Sequence, residues 1–141
     1  MAELRLENVS KRFGGLLAVN NLDLNVPRGK ILSLIGPNGA GKTTVFNMIT
    51  GVYPPTEGNI SYGDHKLNGL RSNRIIARGI ARTFQNIRLF KSMTVLENVQ
   101  VGMHCRTQSG PVRALLKTGF EKRGEKKIVA KSQELLDFIG L

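Results

Sequence analysis

Cysteine, tryptophan and long apolar runs are scarce or missing in this 141-residue chain. Its single cysteine, Cys105, cannot form an internal disulfide, which excludes a disulfide-stapled scaffold and agrees with a reducing compartment. No apolar run approaches the roughly 18 residues that a bilayer-spanning helix needs, and residues 2–5 carry charges rather than a signal-peptide pattern. With 40% apolar and 22% charged residues, the chain is expected to be a cytosolic globular protein with one real core.

Acidic residues are also scarce, because 10 Asp and Glu stand against 21 Lys and Arg, a net charge of +11. Residues 1–70 contain 7 basic and 5 acidic side chains, whereas residues 71–141 contain 14 and 5. The positive charge therefore lies almost wholly in the second half of the chain.

Some of these basic residues recur at helical i, i+4 spacing, as a nucleic-acid or anionic-lipid surface would require. The rows are Lys122 with Lys126, and Arg123 with Lys127 and Lys131. However, no aromatic side chains interleave with them to stack bases, and Glu121 and Glu125 lie among them. This pattern favours a solvated helix face, and nucleic acid is not expected as a partner.

A complete glycine-rich phosphate loop is present at residues 36–44, GPNGAGKTT, which matches GxxxxGK[ST] at every specified position. Residues 30–35 before it form the nearly continuous apolar run expected of a strand buried on both faces of a parallel sheet. After it, Val45, Phe46 and Ile49 recur at helical spacing. An ordinary glycine-rich turn is the alternative, but the full pattern between a strand and a helix predicts a nucleoside triphosphate site.

The residue types of this loop suit a triphosphate, which needs several backbone N–H donors at close range. The amides of residues 38–44 are expected to wrap the β-phosphate at the positive end of the following helix. Lys42 would reach the β- and γ-phosphates, the Thr43 hydroxyl is the expected Mg²⁺ ligand, and Thr44 is expected at the α-phosphate. The predicted residues of the loop are Gly36, Pro37, Asn38, Gly39, Ala40, Gly41, Lys42, Thr43 and Thr44.

Alternating apolar residues predict β-structure around this loop. Two antiparallel strands are expected before it, carrying Leu4 and Leu6 and then Leu22, Leu24 and Val26. Short strands are predicted at residues 59–62 and 66–67, and a further strand at residues 80–84. We therefore expect a mixed β-layer that leads into a parallel core.

Two helices are predicted near the end of the chain. Thr94 and Glu97 form a TxxE capping box, so one helix should begin near residue 94. A second helix is predicted over residues 121–139, with Gly140 as its C-cap. Its predicted apolar face consists of Ile128, Leu135, Leu136 and Ile139.

The order of Phe13, the phosphate loop, Pro55–Gly58 and Thr83–Gln85 strongly resembles the nucleotide-binding domain of ABC transporters over the whole chain. Residues 12–21, 43–47 and 82–95 look more narrowly like the LivG-type ATP-binding subunit of branched-chain amino acid importers. The resemblance implies an α/β P-loop NTPase core with an antiparallel β subdomain and the beginning of a helical subdomain, incomplete in this chain. The implied domains are 1–91, the core with the β subdomain, and 92–141, the start of the helical subdomain.

The resemblance also implies roles for three residues outside the loop. Phe13 would stack on adenine and Val19 would line the same pocket, although a phenylalanine in a strand is more ordinarily a core residue. Gln85 would touch Mg²⁺ and the attacking water, with a solvated loop glutamine as the alternative. The implied catalytic residues are thus Lys42 and Gln85, and the implied metal ligands are Thr43 and Gln85.

Three features of the family do not occur in residues 1–141: an LSGGQ-like signature, a Walker B strand ending in Asp-Glu, and a switch histidine. We therefore expect the amino-terminal part of an ABC ATPase, from a truncated gene, a gene fragment or an incomplete record. This chain alone is predicted not to hydrolyse ATP.

The function implied by the resemblance is that of an energy-coupling ATPase that uses ATP and Mg²⁺. Its implied partners are transmembrane permease subunits, a second ATP-binding subunit in a homo- or heterodimer and, indirectly, a periplasmic binding protein. It would be cytoplasmic, peripheral on the inner face of the plasma membrane, with residues 86–93 bordering the groove for a permease helix. The alternatives are the ATPase of a lipid or polysaccharide exporter, and a noncatalytic nucleotide-binding or nucleic-acid-associated protein.

Overall fold

The computed structural model describes residues 3–84, 89–103 and 119–140, and the side chains of the last range from residue 127 onward. The chain forms two compact units, Met1–Arg82 and Thr83–Leu141. The predicted domains, 1–91 and 92–141, are functional subdomains, whereas these units are defined by compactness. The predicted domain division therefore stays a prediction.

The first unit contains a four-stranded antiparallel sheet with the strand order β2-β1-β3-β4, together with two helices. Its elements are β1 (Leu4–Phe13), β2 (Leu16–Val26), α1 (Lys42–Ile49), β3 (Glu57–Tyr62), β4 (His65–Lys66) and α2 (Ser72–Ala77). The two predicted pairs of strands are confirmed, and the first pair is longer than predicted because it continues to a two-residue turn at Gly14 and Gly15.

An irregularity in β1 allows two residues three positions apart to face the same core. In a regular strand Leu6 and Val9 would point to opposite faces of the sheet. The pairing with β2 shifts register between them, and Asn8 there has a positive φ of 52°. The Asn8 N–H donates to Asp23 Oδ1 at 2.7 Å, and both Leu6 and Val9 are buried.

The core of this unit lies between the sheet and α1. Nine buried residues form one hydrophobic cluster: Leu6, Val9, Val19, Val45, Met48, Ile49, Ile60, Leu67 and Ile75. Each buried aliphatic side chain of this kind stabilises a fold by about 1.5 to 3 kcal/mol. Helix α1 supplies three of them, so the helix that follows the phosphate loop is anchored to the sheet through its apolar side.

Residues 30–35 are not a β-strand, and the prediction of a parallel strand before the loop is wrong for this chain. Ile31 is 99% exposed and Ile35 is 90% exposed. A parallel strand requires hydrogen-bonded neighbours and covered faces, and among the described residues the strands pair only within the antiparallel sheet. Residues 80–84, also predicted as a strand, lie outside the sheet for the same reason.

The second unit contains α3 (Val95–Met103) and α4 (Gly119–Phe138), which pack against each other. The predicted capping box is confirmed, because the Thr94 N–H donates to Glu97 Oε2 at 2.6 Å and the Glu97 N–H donates to Thr94 Oγ1 at 3.2 Å. The Thr94 N–H and then the Thr94 hydroxyl, which donates to Glu97 Oε2 at 2.9 Å, hold the pKa of Glu97 below its usual value.

The predicted long helix is confirmed as α4, but its buried face is only partly as predicted. Ile128 and Leu136 are buried, whereas Leu135 and Ile139 are exposed. The buried residue between Ile128 and Leu136 is Ser132, so the buried row follows i, i+4 spacing and includes a polar residue that was not predicted. Gly140 has φ 80°, as predicted for a C-cap. Within the described ranges, no helix has both the length and the apolar character needed to cross a bilayer.

Candidate nucleotide site

Gly41, the last residue of the phosphate loop before α1 begins, packs directly against strand β2. Gly41 has φ 80° and ψ 3°, and its carbonyl accepts the Val45 N–H at 2.9 Å as α1 begins. A Cβ at this position would lie 2.4 Å from the Ala18 carbonyl oxygen and 3.1 Å from Val19 Cγ2. Both the backbone conformation and the close approach therefore require glycine here.

The other two glycines of the loop are less restricted by packing. Gly39 has φ 85°, but a Cβ added there would meet nothing within 4 Å. A Cβ on Gly36 would lie 3.3 Å from Ala40 Cβ. The loop turns at this point, where the Ala40 N–H donates to the Pro37 carbonyl at 3.3 Å. A side chain at Gly39 would therefore meet open space, whereas one at Gly36 would crowd Ala40.

Lys42, the first residue of α1, folds its ammonium group back across the loop. Its Nζ donates to the Gly36 carbonyl at 2.5 Å and to the Pro37 carbonyl at 2.6 Å. An ammonium group has three N–H donors, so one donor remains for a phosphate oxygen without breaking either contact. The charge is thus held beside the carbonyls of Gly36 and Pro37 by the residue that begins α1.

Thr43 is suited to be one ligand of a phosphate-bound Mg²⁺ ion, but the loop is not a protein cage for metal. Thr43 is exposed, and within the part of the chain that the structure describes its hydroxyl makes no hydrogen bond. No group of three His, Cys, Asp or Glu residues that could hold a metal ion occurs among the described residues. This set fits Mg²⁺, which usually keeps waters and phosphate oxygens around one or two protein ligands.

An aromatic cluster lies where β1 ends, formed by Lys11, Phe13, Tyr53 and Pro54. The rings of Phe13 and Tyr53 meet edge to face, with centroids 5.2 Å apart and an interplanar angle of 89°. Lys11 Nζ lies 5.1 Å from the centre of the Phe13 ring and 5.0 Å from that of Tyr53, and it donates to the Pro54 carbonyl at 2.7 Å. Phe13 is 44% exposed, so it is a surface ring held by contacts and not a core residue.

Val19 occupies a different environment from Phe13. It is one of the buried residues of the core, and it lies against the Cα of Gly41. Its predicted contact with adenine stays a prediction, while the structure gives it a packing role beneath the phosphate loop.

A chain of polar contacts that sequence reasoning missed connects the aromatic cluster to α1. Asn47 Nδ2 donates to the Tyr53 hydroxyl at 3.2 Å, and Asn47 Oδ1 accepts from Arg82 Nη1 at 2.6 Å. The Arg82 guanidinium also lies 5.9 Å from the centre of the Phe46 ring. The sequence did contain a signal for this contact, because Asn47 is a polar residue between the apolar residues Phe46 and Met48.

Gln85, the predicted water-orienting residue, lies outside the described residues, as do residues 86–88. The rest of the predicted permease-facing segment, residues 89–93, belongs to the second unit, where the Asn98 side chain holds its backbone by hydrogen bonds. Asn98 Oδ1 accepts the Phe90 N–H at 2.9 Å, and its Nδ2 donates to the carbonyls of Phe90 at 3.2 Å and Thr94 at 2.9 Å.

The segment that Asn98 holds forms one side of an open groove of about 450 Å³. The groove is lined by Leu89, Phe90, Lys91, Met93, Val95, Asn98 and Val99. Leu89, Phe90 and Val95 are all largely exposed, so this part of the second unit offers an apolar surface.

Comparison with known proteins identifies relatives along nearly the whole chain. Residues 19–139 match the family described as ABC transporter. The chain is 47% identical to the high-affinity branched-chain amino acid transport ATP-binding protein LivG of Escherichia coli K12, and 46% identical to that of Salmonella typhimurium. It is 43% identical to the corresponding BraF protein of Pseudomonas aeruginosa. Each alignment covers 98% of this chain and 54% of the relative, so the chain spans about half the length of these curated relatives.

Solved structures show the same likeness. A nucleotide-free ATP-binding cassette from an ABC transporter matches with a TM-score of 0.75 and 34% identity, over 98% of this chain and 54% of that chain. A dimeric cassette bound to ADP and Pi matches with a TM-score of 0.68 and 26% identity, over 95% of this chain and 56% of that chain. These likenesses confirm the predicted fold class.

Proposed function

The chain belongs to the ABC transporter family, and on that premise we propose that it is the ATP-binding, energy-coupling part of an importer of branched-chain amino acids. The observation that carries the proposal is the intact phosphate loop, whose Gly41 is fixed on β2 and whose Lys42 is folded across it. The exporter alternative has less support, because the relatives reported above with 43% to 47% identity are branched-chain amino acid transport proteins.

In this proposal the loop binds the triphosphate and holds it in place. The backbone amides of residues 38–44 would wrap the β-phosphate, and the remaining donor of Lys42 would bind a β- or γ-phosphate oxygen. Mg²⁺ carried by the phosphates would use the Thr43 hydroxyl as one ligand and supply charge neutralisation at the γ-phosphate. Gln85 would orient the attacking water, as the resemblance implies.

The base of ATP would bind at the aromatic cluster. The Lys11 ammonium over the Phe13 ring and the perpendicular Tyr53 ring beside it leave the remaining exposed surface of Phe13 for a stacked adenine. Stacking of a base on an aromatic side chain contributes about 1 to 3 kcal/mol and tolerates different bases. The cluster is therefore expected to add affinity for the nucleoside, with the phosphate loop providing the attraction for the triphosphate.

Coupling to transport would use the apolar groove of the second unit. Its volume of about 450 Å³ and its exposed Leu89 and Phe90 suit the apolar side chains of a short permease helix on the cytoplasmic side. A second ATP-binding subunit would pair with the chain, and the assembly would sit at the inner face of the membrane. A periplasmic binding protein would act on it only through the permease.

The 141-residue chain by itself is proposed to bind ATP without sustained hydrolysis. Phosphoryl transfer needs the triphosphate positioned, the metal held and the water oriented together. The loop provides the first of these and Thr43 part of the second. Phosphate release by the purified chain should therefore be no greater than that of Lys42→Ala, and multiple turnover that this substitution abolishes would refute the claim.

The import proposal can be tested with a chimera in which this chain replaces the matching half of Escherichia coli LivG. In cells without LivG, the chimera should restore uptake of branched-chain amino acids and copurify with the permease subunits. The same chimera with Lys42→Ala should copurify but not restore uptake. A folded chimera that binds ATP, yet neither copurifies nor restores uptake, would contradict the proposal.

A further inference from the structure

Tyr53 and Asn47 connect the two places where the proposed function puts the ends of ATP. We propose that they are positioning residues for the Phe13 ring, and that they hold this ring at a fixed place relative to the phosphate loop. The inference rests on the proposed ATP site, since it assigns a role to residues that touch neither the base nor the phosphates.

The ring of Phe13 needs such support because of its position in the chain. It is the last residue of β1, directly before the turn at Gly14 and Gly15, and nearly half of it is exposed. A surface ring at a strand end has little packing to fix its rotamer. The edge-to-face contact with Tyr53 at 5.2 Å supplies a preferred geometry, and the Lys11 ammonium lies near both rings.

The hydroxyl of Tyr53 is fixed in turn by the helix that begins with Lys42. Asn47 lies in the middle of α1 and donates to this hydroxyl, while its carbonyl oxygen accepts from Arg82. A guanidinium group can only donate hydrogen bonds, so Arg82 determines which way the Asn47 amide points. The Asn47 NH₂ group must therefore face Tyr53, and both hydrogen bonds of the Asn47 amide have a fixed donor and acceptor.

The consequence is a rigid spacing between base platform and phosphate loop. Binding of a nucleotide costs less conformational entropy when the two regions of the protein that contact it are already held at the right separation. Losing the link would leave the phosphate loop intact and loosen only the base platform. The expected signature is weaker binding of ATP together with unchanged binding of a ligand that has phosphates and no base.

Inorganic tripolyphosphate is such a ligand, and calorimetry with Mg²⁺ can compare it with ATP on the whole 141-residue chain. Asn47→Leu and Tyr53→Phe each remove the hydrogen bond and keep the side-chain volume. Each should weaken ATP binding by about three- to tenfold, the effect of one lost hydrogen bond. Tripolyphosphate affinity should stay within about twofold of the parent chain. Asn73→Leu, at an exposed position of α2, is the matched control and should change neither.

A double substitution separates positioning from simple structural support. If Asn47 acts through the Phe13 ring, then Asn47→Leu added to Phe13→Ala should cause no further loss of ATP affinity. Additive losses, or an equal loss of tripolyphosphate affinity, would overturn the inference. If the parent chain binds neither ligand, the ATP site itself is refuted. Should Asn47→Leu fail to fold by circular dichroism, Tyr53→Phe and its double variant with Phe13→Ala give the same decision.

Discussion

Residues 30–35 form a more continuous apolar run than strand β1 does, yet only β1 is a strand. β1 pairs with β2 on one side and β3 on the other, and both partners lie within the first 62 residues. Residues 30–35 have no such partner among the described residues, and Ile31 and Ile35 face solvent. An apolar run therefore indicates a strand only when hydrogen-bonding neighbours are available to it.

The phosphate loop, unlike residues 30–35, is held in place by contacts with the sheet and the core. It follows directly after the unpaired run, yet its C-terminal half is fixed by Gly41 against β2 and by the apolar side of α1 in the core. The loop is thus anchored from the helix side. This is the central claim of the account, because it predicts that triphosphate binding does not depend on a strand at residues 30–35.

The largest expected effect separates a paired strand from the unpaired run. Ile60→Ala in β3 leaves a cavity in the core and should lower the free energy of unfolding by about 2 to 5 kcal/mol. Ile31→Ala should change it by no more than about 0.5 kcal/mol, because this side chain is exposed. Urea unfolding followed by circular dichroism measures both. Equal losses would show that residues 30–35 are buried in a strand after all.

A second pair of substitutions tests the anchoring of the loop. Gly39 and Gly41 both have positive φ, a conformation that costs a residue with a side chain about 1 to 2 kcal/mol. Gly39→Ala should cost only that amount in the free energy of unfolding, because nothing lies within 4 Å. Gly41→Ala should cost more and abolish ATP binding, because its Cβ would overlap the Ala18 carbonyl. Identical stability losses would contradict the close contact with β2.

Comparison of the sequence predictions with the structure shows which parts of the molecule a local pattern can predict. The loop, the capping box and the antiparallel strands were predicted because each depends on residues close together in sequence. The state of residues 30–35 depends on hydrogen-bonding partners that an apolar pattern does not reveal. Leu135 was wrongly predicted to lie on the buried face of α4. The spacing of the apolar residues did not reveal that Ser132 is buried between Ile128 and Leu136.

The site was predicted in the same uneven way. The phosphate loop has a fixed spacing that its chemistry requires, so its residues could be read directly. The link from Tyr53 through Asn47 to Arg82 joins residues up to 35 positions apart, and its geometry emerges only when β1, α1 and the segment before Gln85 are folded together. Gln85 itself stays a prediction.

The smallest expected effect concerns the second unit and its pH dependence. The pKa of Glu97 is lowered in the fold by hydrogen bonds from Thr94, so its contribution to stability is present above the unfolded pKa and is lost as pH falls through the folded value. An NMR titration should give this carboxyl a pKa below that of an unperturbed glutamate. Glu97→Gln keeps the capping box and should remove this part of the acid dependence. A carboxyl that titrates at its ordinary value would contradict the capping contact.

The most direct test of the central claim is a calorimetric titration of the 141-residue chain with Mg-ATP. We predict saturable binding that Lys42→Ala weakens by about tenfold or more, since a charge-assisted contact is lost. Lys66→Ala, an exposed lysine of β4, should leave the affinity unchanged. Ile31→Ala should leave it unchanged as well, because the loop is anchored from α1 and β2. Equal affinity for the parent chain and Lys42→Ala, or a loss of binding in Ile31→Ala, would contradict the account.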